Sequence, residues 1–276
     1  MNNNLQYTVI EGIKCFSPEV ANAYEDYPDS GFDLTDKNAQ SSFWVSSRNR
    51  IFKNFVQENM STICKTKFLE IGCGTGDFIQ QIVQNENLEI TGSEIYLKGL
   101  LYAKKNLPKV EFIQFDVTKG VVGEEFDLIV AFDVIEHIEN DVSALTNINQ
   151  MLTKNGVFIV SVPQHMFLWS NLDEIVKHKR RYSRRELVTK LQKNGFDISY
   201  ATSFLFFLFP LMLISRMFDR GRDQTQSEEV SLEKRVKFSK VMNWIFDHFM
   251  RIDEALIRLG ISLPFGGTLV VVARKR

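Results

Sequence analysis

The run Phe68-Leu69-Glu70-Ile71-Gly72-Cys73-Gly74-Thr75-Gly76 constrains this chain more than any other segment. An apolar strand leads into it, an acidic residue lies near the end of that strand, and three alternating glycines follow. Glycine permits positive φ and removes Cβ atoms where a ligand must lie against backbone. The run therefore predicts a nucleotide-binding turn, followed by a helix starting near Asp77 whose free amides face an anionic group. The spacing is not the dinucleotide fingerprint Gly-x-Gly-x-x-Gly, because Asp77 stands where the third glycine would be needed.

Strand and helix signals alternate on either side of this turn, the pattern of a doubly wound α/β sheet. Strands are expected at 67–71, 88–93, 110–115, 126–132, 156–162 and 196–201, with a last buried strand at 268–273. Helices are expected at 78–85, 97–106, 141–152 and 184–194. With 276 residues, 44% of them hydrophobic, the chain can bury one large core and carry an elaboration. The organisation expected is an N-terminal helical cover at 1–62, a core at 63–202, a helical insertion at 203–266 and the last strand at 267–276. The cover holds a loop at 24–29 and a helix-like run at 43–52.

Ligands of open α/β sheets bind outside the carboxyl ends of the strands. Three of these ends are acidic here, at Glu94, Asp116 and Asp133. Glu94, 18 residues beyond Gly76, is placed to accept hydrogen bonds from both hydroxyls of a ribose. Asp116 is placed to accept from an adenine amino group. The bland alternatives, a helix cap for Glu94 and a turn cap for Asp116, rest on the same side-chain chemistry.

Together with the fourth-strand run Phe126 to Ile138, these features resemble class I S-adenosylmethionine-dependent methyltransferases, over residues 43–202 and the last strand. The resemblance implies a seven-stranded, mostly parallel sheet with an antiparallel last strand, and S-adenosylmethionine as cofactor. It places Gly72, Gly74, Gly76, Glu94, Asp116 and Asp133 on the cofactor, Glu70 and Gly72 beside its methionine moiety, and Arg48 at its carboxylate. The segment Asp133-Val134-Ile135-Glu136-His137 is similar to the Glu-x-x-Glu-His run of ubiquinone-pathway O-methyltransferases and small-RNA 2'-O-methyltransferases. There, a later histidine completes a divalent metal site; His178 or His165 would be that histidine here. Aspartate in place of the first glutamate is one methylene shorter, and no metal ligand is assigned. His137, His178 and Asp133 are the catalytic candidates. A divalent ion, a metal-free base at His137 or His178, and a packing role for the run stay open. Phe43-Trp44, Arg180-Arg181-Tyr182-Ser183 and Pro264-Phe265-Gly266 together resemble bacterial methyltransferases linked with surface-glycan or lipid modification.

Three further features bear on the acceptor. The stretch 177–185 carries six lysines or arginines in nine positions, and reads as a site for an anionic partner or as a solvated face. The run 204–218 is almost wholly apolar and too short for an ordinary membrane-spanning helix, so it is a lid or an interfacial element. After a polar linker at 219–229, a helix at 231–259 carries Phe238, Met242, Ile245, Phe249, Ile252, Leu256 and Leu259 on one stripe. That stripe is expected to pack inward, leaving Trp244, Phe246 and Met250 for a partner subunit or lipid.

A net charge of -1 and a pI near 6.5 argue against a nucleic-acid partner. Cys15, Cys64 and Cys73 lack metal-type spacing and fit a reduced, cytoplasmic setting, at the inner face of a membrane if the apolar run meets lipid. The expected activity is methyl transfer to an oxygen of a lipid, isoprenoid or glycan intermediate. A soluble small-molecule acceptor and a non-catalytic cofactor-binding accessory subunit are the alternatives. No oligomeric state follows from the sequence.

Overall fold

The computed structural model describes residues 4–23, 42–219 and 238–276. The loop expected at 24–29, most of the linker at 219–229 and the helix start expected at 231–237 lie outside the described residues.

In chain order the elements are β1 (Thr8–Ile10), β2 (Ile13–Cys15), α1 (Phe43–Asn59), β3 (Thr66–Ile71), α2 (Asp77–Ile82), β4 (Leu88–Glu94), α3 (Leu97–Asn106), β5 (Glu111–Gln114) and β6 (Phe126–Phe132). There follow α4 (Asp141–Met151), β7 (Leu152–Pro163), α5 (Asn171–Ile175), α6 (Arg184–Lys193), β8 (Phe196–Phe204), α7 (Phe209–Asp219), α8 (Lys240–Arg258) and β9 (Thr268–Lys275). They build a nine-stranded sheet in the order β1-β2-β5-β4-β3-β6-β7-β9-β8. All seven expected strands are present, and β9 runs antiparallel between β7 and β8.

Period-two alternation explains why the sheet is covered on both faces. Leu128, Val130 and Phe132 of β6 face the cluster under α1, α2 and α8, whereas Ile129 and Ala131 face the cluster under α4 and α6. In β9, Val270 and Val272 join the first cluster while Leu269, Val271 and Ala273 join the second. Apolar residues at every position are thus required, and the sequence supplies them.

Two strands were not expected. The N-terminal segment is not helical throughout: β1 and β2 form a hairpin that lengthens the sheet beyond β5, so the expected count of seven becomes nine. Glu11 and Gly12 both take positive φ at its turn, the geometry that a two-residue hairpin favours. Each strand is only three residues long. Such pieces carry too little periodicity to be read from sequence.

The helix stripe turns inward only in part: Ile245 and Leu256 pack against the core and Trp244 stays exposed, as expected. Phe246, Met250 and Ile257 of α8 are buried, whereas Phe238, Met242, Phe249, Ile252 and Leu259 are exposed. Polar ties decide the orientation. Arg50 of α1 reaches Asp247 at 2.7 Å and Glu254 at 2.9 Å, and Asp253, itself buried, accepts the Phe206 amide at 2.7 Å. These bonds turn the acidic edge of α8 to α1 and the more apolar stripe outward. Arg50→Ala is expected to cost about 1–3 kcal/mol by removing charge-assisted hydrogen bonds to two carboxylates, read as a lower urea midpoint at unchanged slope.

Candidate active site

The sheet order reverses between β3 and β6, so the crevice beyond their carboxyl ends is the favoured ligand position. Gly72, just after β3, and Val134, just after β6, meet there. Gly72 has φ of 72°, and a Cβ on it would lie 2.4 Å from Val134 Cγ2. Gly76 also takes positive φ, and a Cβ there would press on Leu107 and Ala103. Gly74, with φ of 53°, is different: a Cβ on it would meet nothing within 4 Å. The middle of the turn is therefore an open cradle held by two tightly packed flanks.

The expected cofactor residues surround this cradle. Glu94 is buried and accepts the Gly74 amide at 3.1 Å on one oxygen, and the Ile95 and Tyr96 amides at 2.8 and 3.3 Å on the other. Burial pushes its pKa up and these amides oppose the rise. The oxygen that accepts the Gly74 amide keeps a further lone pair for a hydroxyl donor, whereas the two amides fill the other. Asp116 takes both the amide and the hydroxyl of Thr118 on Oδ1, at 2.9 and 2.7 Å, which is the turn-capping role. Its own amide donates to Ser17 Oγ. Ser17 was not singled out from the sequence; it arrives because Gln114 bonds the Ser17 backbone and carries the N-terminal segment across the β4 and β5 ends.

Glu70 gives a direct test of whether a cationic ligand group fits. Its Oε2 is buried with no hydrogen-bond partner. Burial pushes its pKa up to about 8, with Arg48 opposing and the charges of Asp77 and Glu94 adding to the rise. A buried, unsatisfied carboxyl beside an open glycine cradle fits the ammonium end of an amino-acid moiety. Arg48 donates to Asp133 Oδ2 at 3.1 Å, while its Nε is buried without a hydrogen-bond partner. Asp133 is held at φ of 56° by Ser161, whose hydroxyl donates to Oδ1 and accepts the Asp133 amide.

Beyond Asp133 lies a second polar group. Glu136 is fully buried, and burial, reinforced by the charge of Asp133, pushes its carboxyl well above the usual range. His178 Nε2 stands 3.7 Å from Glu136 Oε1, and the rings of His178 and His137 meet edge to face at 4.7 Å. The ligand atoms of Glu136, His137 and His178 lie within 4.8 Å of one another, a set able to hold a divalent cation. The expected catalytic histidines are thus adjacent, and Asp133 lies on the Arg48 side of the group.

Asp173 sets the direction of His178. His178 Nδ1 lies 2.9 Å from Asp173 Oδ1, and Arg181 grips the same carboxylate through Nε at 2.7 Å and Nη2 at 3.1 Å. Burial raises the Asp173 pKa, but the His178 and Arg181 bonds outweigh it and hold the carboxyl below the ordinary range. An ionised Asp173 accepts the Nδ1 proton and leaves Nε2 directed at Glu136. The sequence signal for this arrangement was the Ser170-x-x-Asp173 capping box. Arg180, Arg181 and Arg184 of the basic stretch bond internal partners: Glu139 and Asp141, Asp173, and Ser262 with Leu263 respectively. For these three, neither a solvated face nor an anion site describes the role.

Two neighbouring residues add unmet polar atoms. His165 has φ of 66° and a buried Nε2 with no hydrogen-bond partner, and Gln164 Oε1 is buried likewise. The His165 ring stacks on Phe167 at 4.8 Å and meets Phe209 at 5.8 Å.

With this geometry in place, comparison with known proteins is decisive for the family. A family model described as a methyltransferase domain matches residues 36–201. The chain belongs to that family. The ubiquinone biosynthesis O-methyltransferase of Rickettsia typhi is 26% identical over 133 residues, covering 45% of this chain and 54% of its own length. That of Histophilus somni is 23% identical over 123 residues, covering 41% of this chain and 51% of its own length. The chain spans about half the length of these curated relatives.

Among solved structures, the 4+2 cyclase SpnF is 15% identical with a TM-score of 0.60, covering 99% of this chain and 98% of its own. Magnesium protoporphyrin IX methyltransferase from Synechocystis, solved with bound SAH, is 12% identical with a TM-score of 0.56, covering 94% and 100%. At these identities the likeness is one of fold.

The buried Asp173–Arg181 pair offers a test of this methyltransferase domain. Asp173→Asn leaves Arg181 buried without its counter-charge and is expected to destabilise by about 3–5 kcal/mol in denaturant melts. Because the folded pKa of Asp173 is depressed, its contribution is present above the unfolded carboxyl value of about 4 and lost as pH falls through the folded value. Wild-type stability should therefore fall below about pH 4 by an increment absent from the variant.

Proposed function

We propose that this chain transfers a methyl group from S-adenosylmethionine to an oxygen of a small hydroxyl-bearing acceptor, with lipid-linked, isoprenoid or glycan intermediates as the favoured class. The observation that carries the reading is the unsatisfied buried carboxyl of Glu70 beside the open cradle at Gly74, one residue pair away from the Glu136-His137-His178 group. Similarity to the ubiquinone biosynthesis O-methyltransferases supports oxygen as the methylated atom. The apolar run 204–218 would roof the acceptor.

S-adenosylmethionine supplies an electrophilic methyl on a sulfonium centre. Gly74 would let it lie against backbone, Glu94 would hold its ribose, Asp116 its adenine, Glu70 its ammonium and Arg48 its carboxylate. Positioning alone carries much of the acceleration of an in-line displacement. His178 Nε2 would take the acceptor proton as the oxygen–methyl bond forms and the carbon–sulfur bond breaks, with Asp173 stabilising the imidazolium. A second reading is favoured by the convergence of Glu136, His137 and His178: a divalent cation held there would acidify the acceptor hydroxyl instead. Excess EDTA separates the two, abolishing turnover in the second case and leaving it intact in the first.

Calorimetric titration with S-adenosylhomocysteine tests the donor site. Glu70 with a pKa of about 8 is mainly protonated at neutral pH, and an ammonium placed beside it lowers that value, so binding should release up to about one proton. The apparent enthalpy will then differ between phosphate and Tris buffers. Glu70→Gln should remove that difference and weaken binding about tenfold. Absence of binding by folded wild-type protein would overturn the assignment.

A further inference from the structure

We infer that the outward face of α8, with the adjoining start of α7, is a docking surface for an anionic lipid bilayer. For how the acceptor reaches the site, the inference rests on the methyltransferase reading; as a statement about binding it does not. Met242, Phe249, Ile252 and Leu259 repeat at helical spacing on one side of α8 and are between 38% and 75% exposed. Phe207, Leu211 and Ile214, at and just before the outer side of α7, are also exposed. The two sets are joined where Asp253 of α8 accepts the Phe206 amide, and apolar side chains exposed on both elements mark an interaction site rather than scattered surface residues.

Charge points to the occupant. Asp247 and Glu254 are drawn to Arg50, Arg251 pairs with Asp247 at 2.8 Å and Asp253 is buried, which leaves Lys240 and Arg258 as exposed cations of α8. An apolar stripe flanked by cations, with Trp244 64% exposed at its side, suits the boundary between acyl chains and anionic headgroups. No helix among the described residues is long and apolar enough to cross a membrane, so the contact is one of lying on the surface.

This face is continuous with the carboxyl end of the sheet. Ring contacts run from His165 to Phe209 at 5.8 Å, from Phe209 to Phe265 at 5.2 Å, from Phe265 to Phe206 at 4.7 Å and from Phe206 to exposed Phe207 at 5.2 Å. An amphipathic acceptor held in the bilayer would find an aromatic path from lipid to the residues beside Arg181 and His178. Phe209 is buried and Phe206 partly buried, so only Phe207 of the three offers itself to lipid.

Co-sedimentation of the full chain with vesicles of phosphatidylcholine, alone or mixed with phosphatidylglycerol, tests the inference. Binding is expected to the mixed vesicles, to weaken as salt rises, and to fall about tenfold or more in the triple variant Phe249→Ser, Ile252→Ser, Leu259→Ser. Lys240→Glu with Arg258→Glu, which leaves every apolar residue of the stripe in place, should lower binding to the mixed vesicles in the same direction. S-adenosylhomocysteine binding, measured on each protein, should not change. Wild type that binds this ligand but ignores both vesicles overturns docking alone; wild type that binds vesicles but not the ligand overturns the methyltransferase reading and leaves docking standing. A dimer that the triple variant disperses, with no vesicle binding, would assign the face to a second copy of the chain and overturn the inference.

Discussion

The arrangement of the site depends on one missing carbon. Because Gly72 carries no side chain and turns at positive φ, the loop after β3 can lie directly against Val134 after β6. Any Cβ would force these loops apart at the point where the sheet order reverses. The glycine cradle belongs to the first loop and Glu136 with His137 to the second, so their separation is set by this contact, while His178 arrives from the segment after α5. Asp133, next to Val134, is held by Ser161 of β7 and by Arg48 of α1, so four elements share the junction.

The side of the crevice built by the glycine turn was legible because its signals are local. Glycine spacing, acidic strand ends and apolar alternation are all properties of short windows, and Gly72, Gly74, Gly76, Glu94 and Asp116 fall around one crevice as those windows suggest. Glu94 shows the limit of that reading: sequence placed a carboxylate at the strand end, but not that it would also fasten Gly74. The acceptor side was legible only in part. His137 and His178 could be named as residue types, yet their meeting depends on Asp173 and Arg181, whose pairing is a tertiary event hidden inside a basic stretch.

The outward turn of most of the α8 stripe has a clear cause. Periodicity says that a helix has an apolar face, and the more apolar face is the natural choice for the core. It is blind to polar ties made across long sequence separations. Arg50, far away in the chain, and the amide at Phe206 together outweigh that preference and turn toward the interior a face that includes Asp253. The hairpin at the other edge was hidden for the opposite reason, being too short to show any period.

Asp253 has one more consequence. Its carboxylate clasps the backbone of the aromatic turn that follows β8, and rings from that turn reach His165 without a break. A tilt of the outer helix therefore cannot stay local: it drags the turn, and the turn leans on the imidazole at the far end.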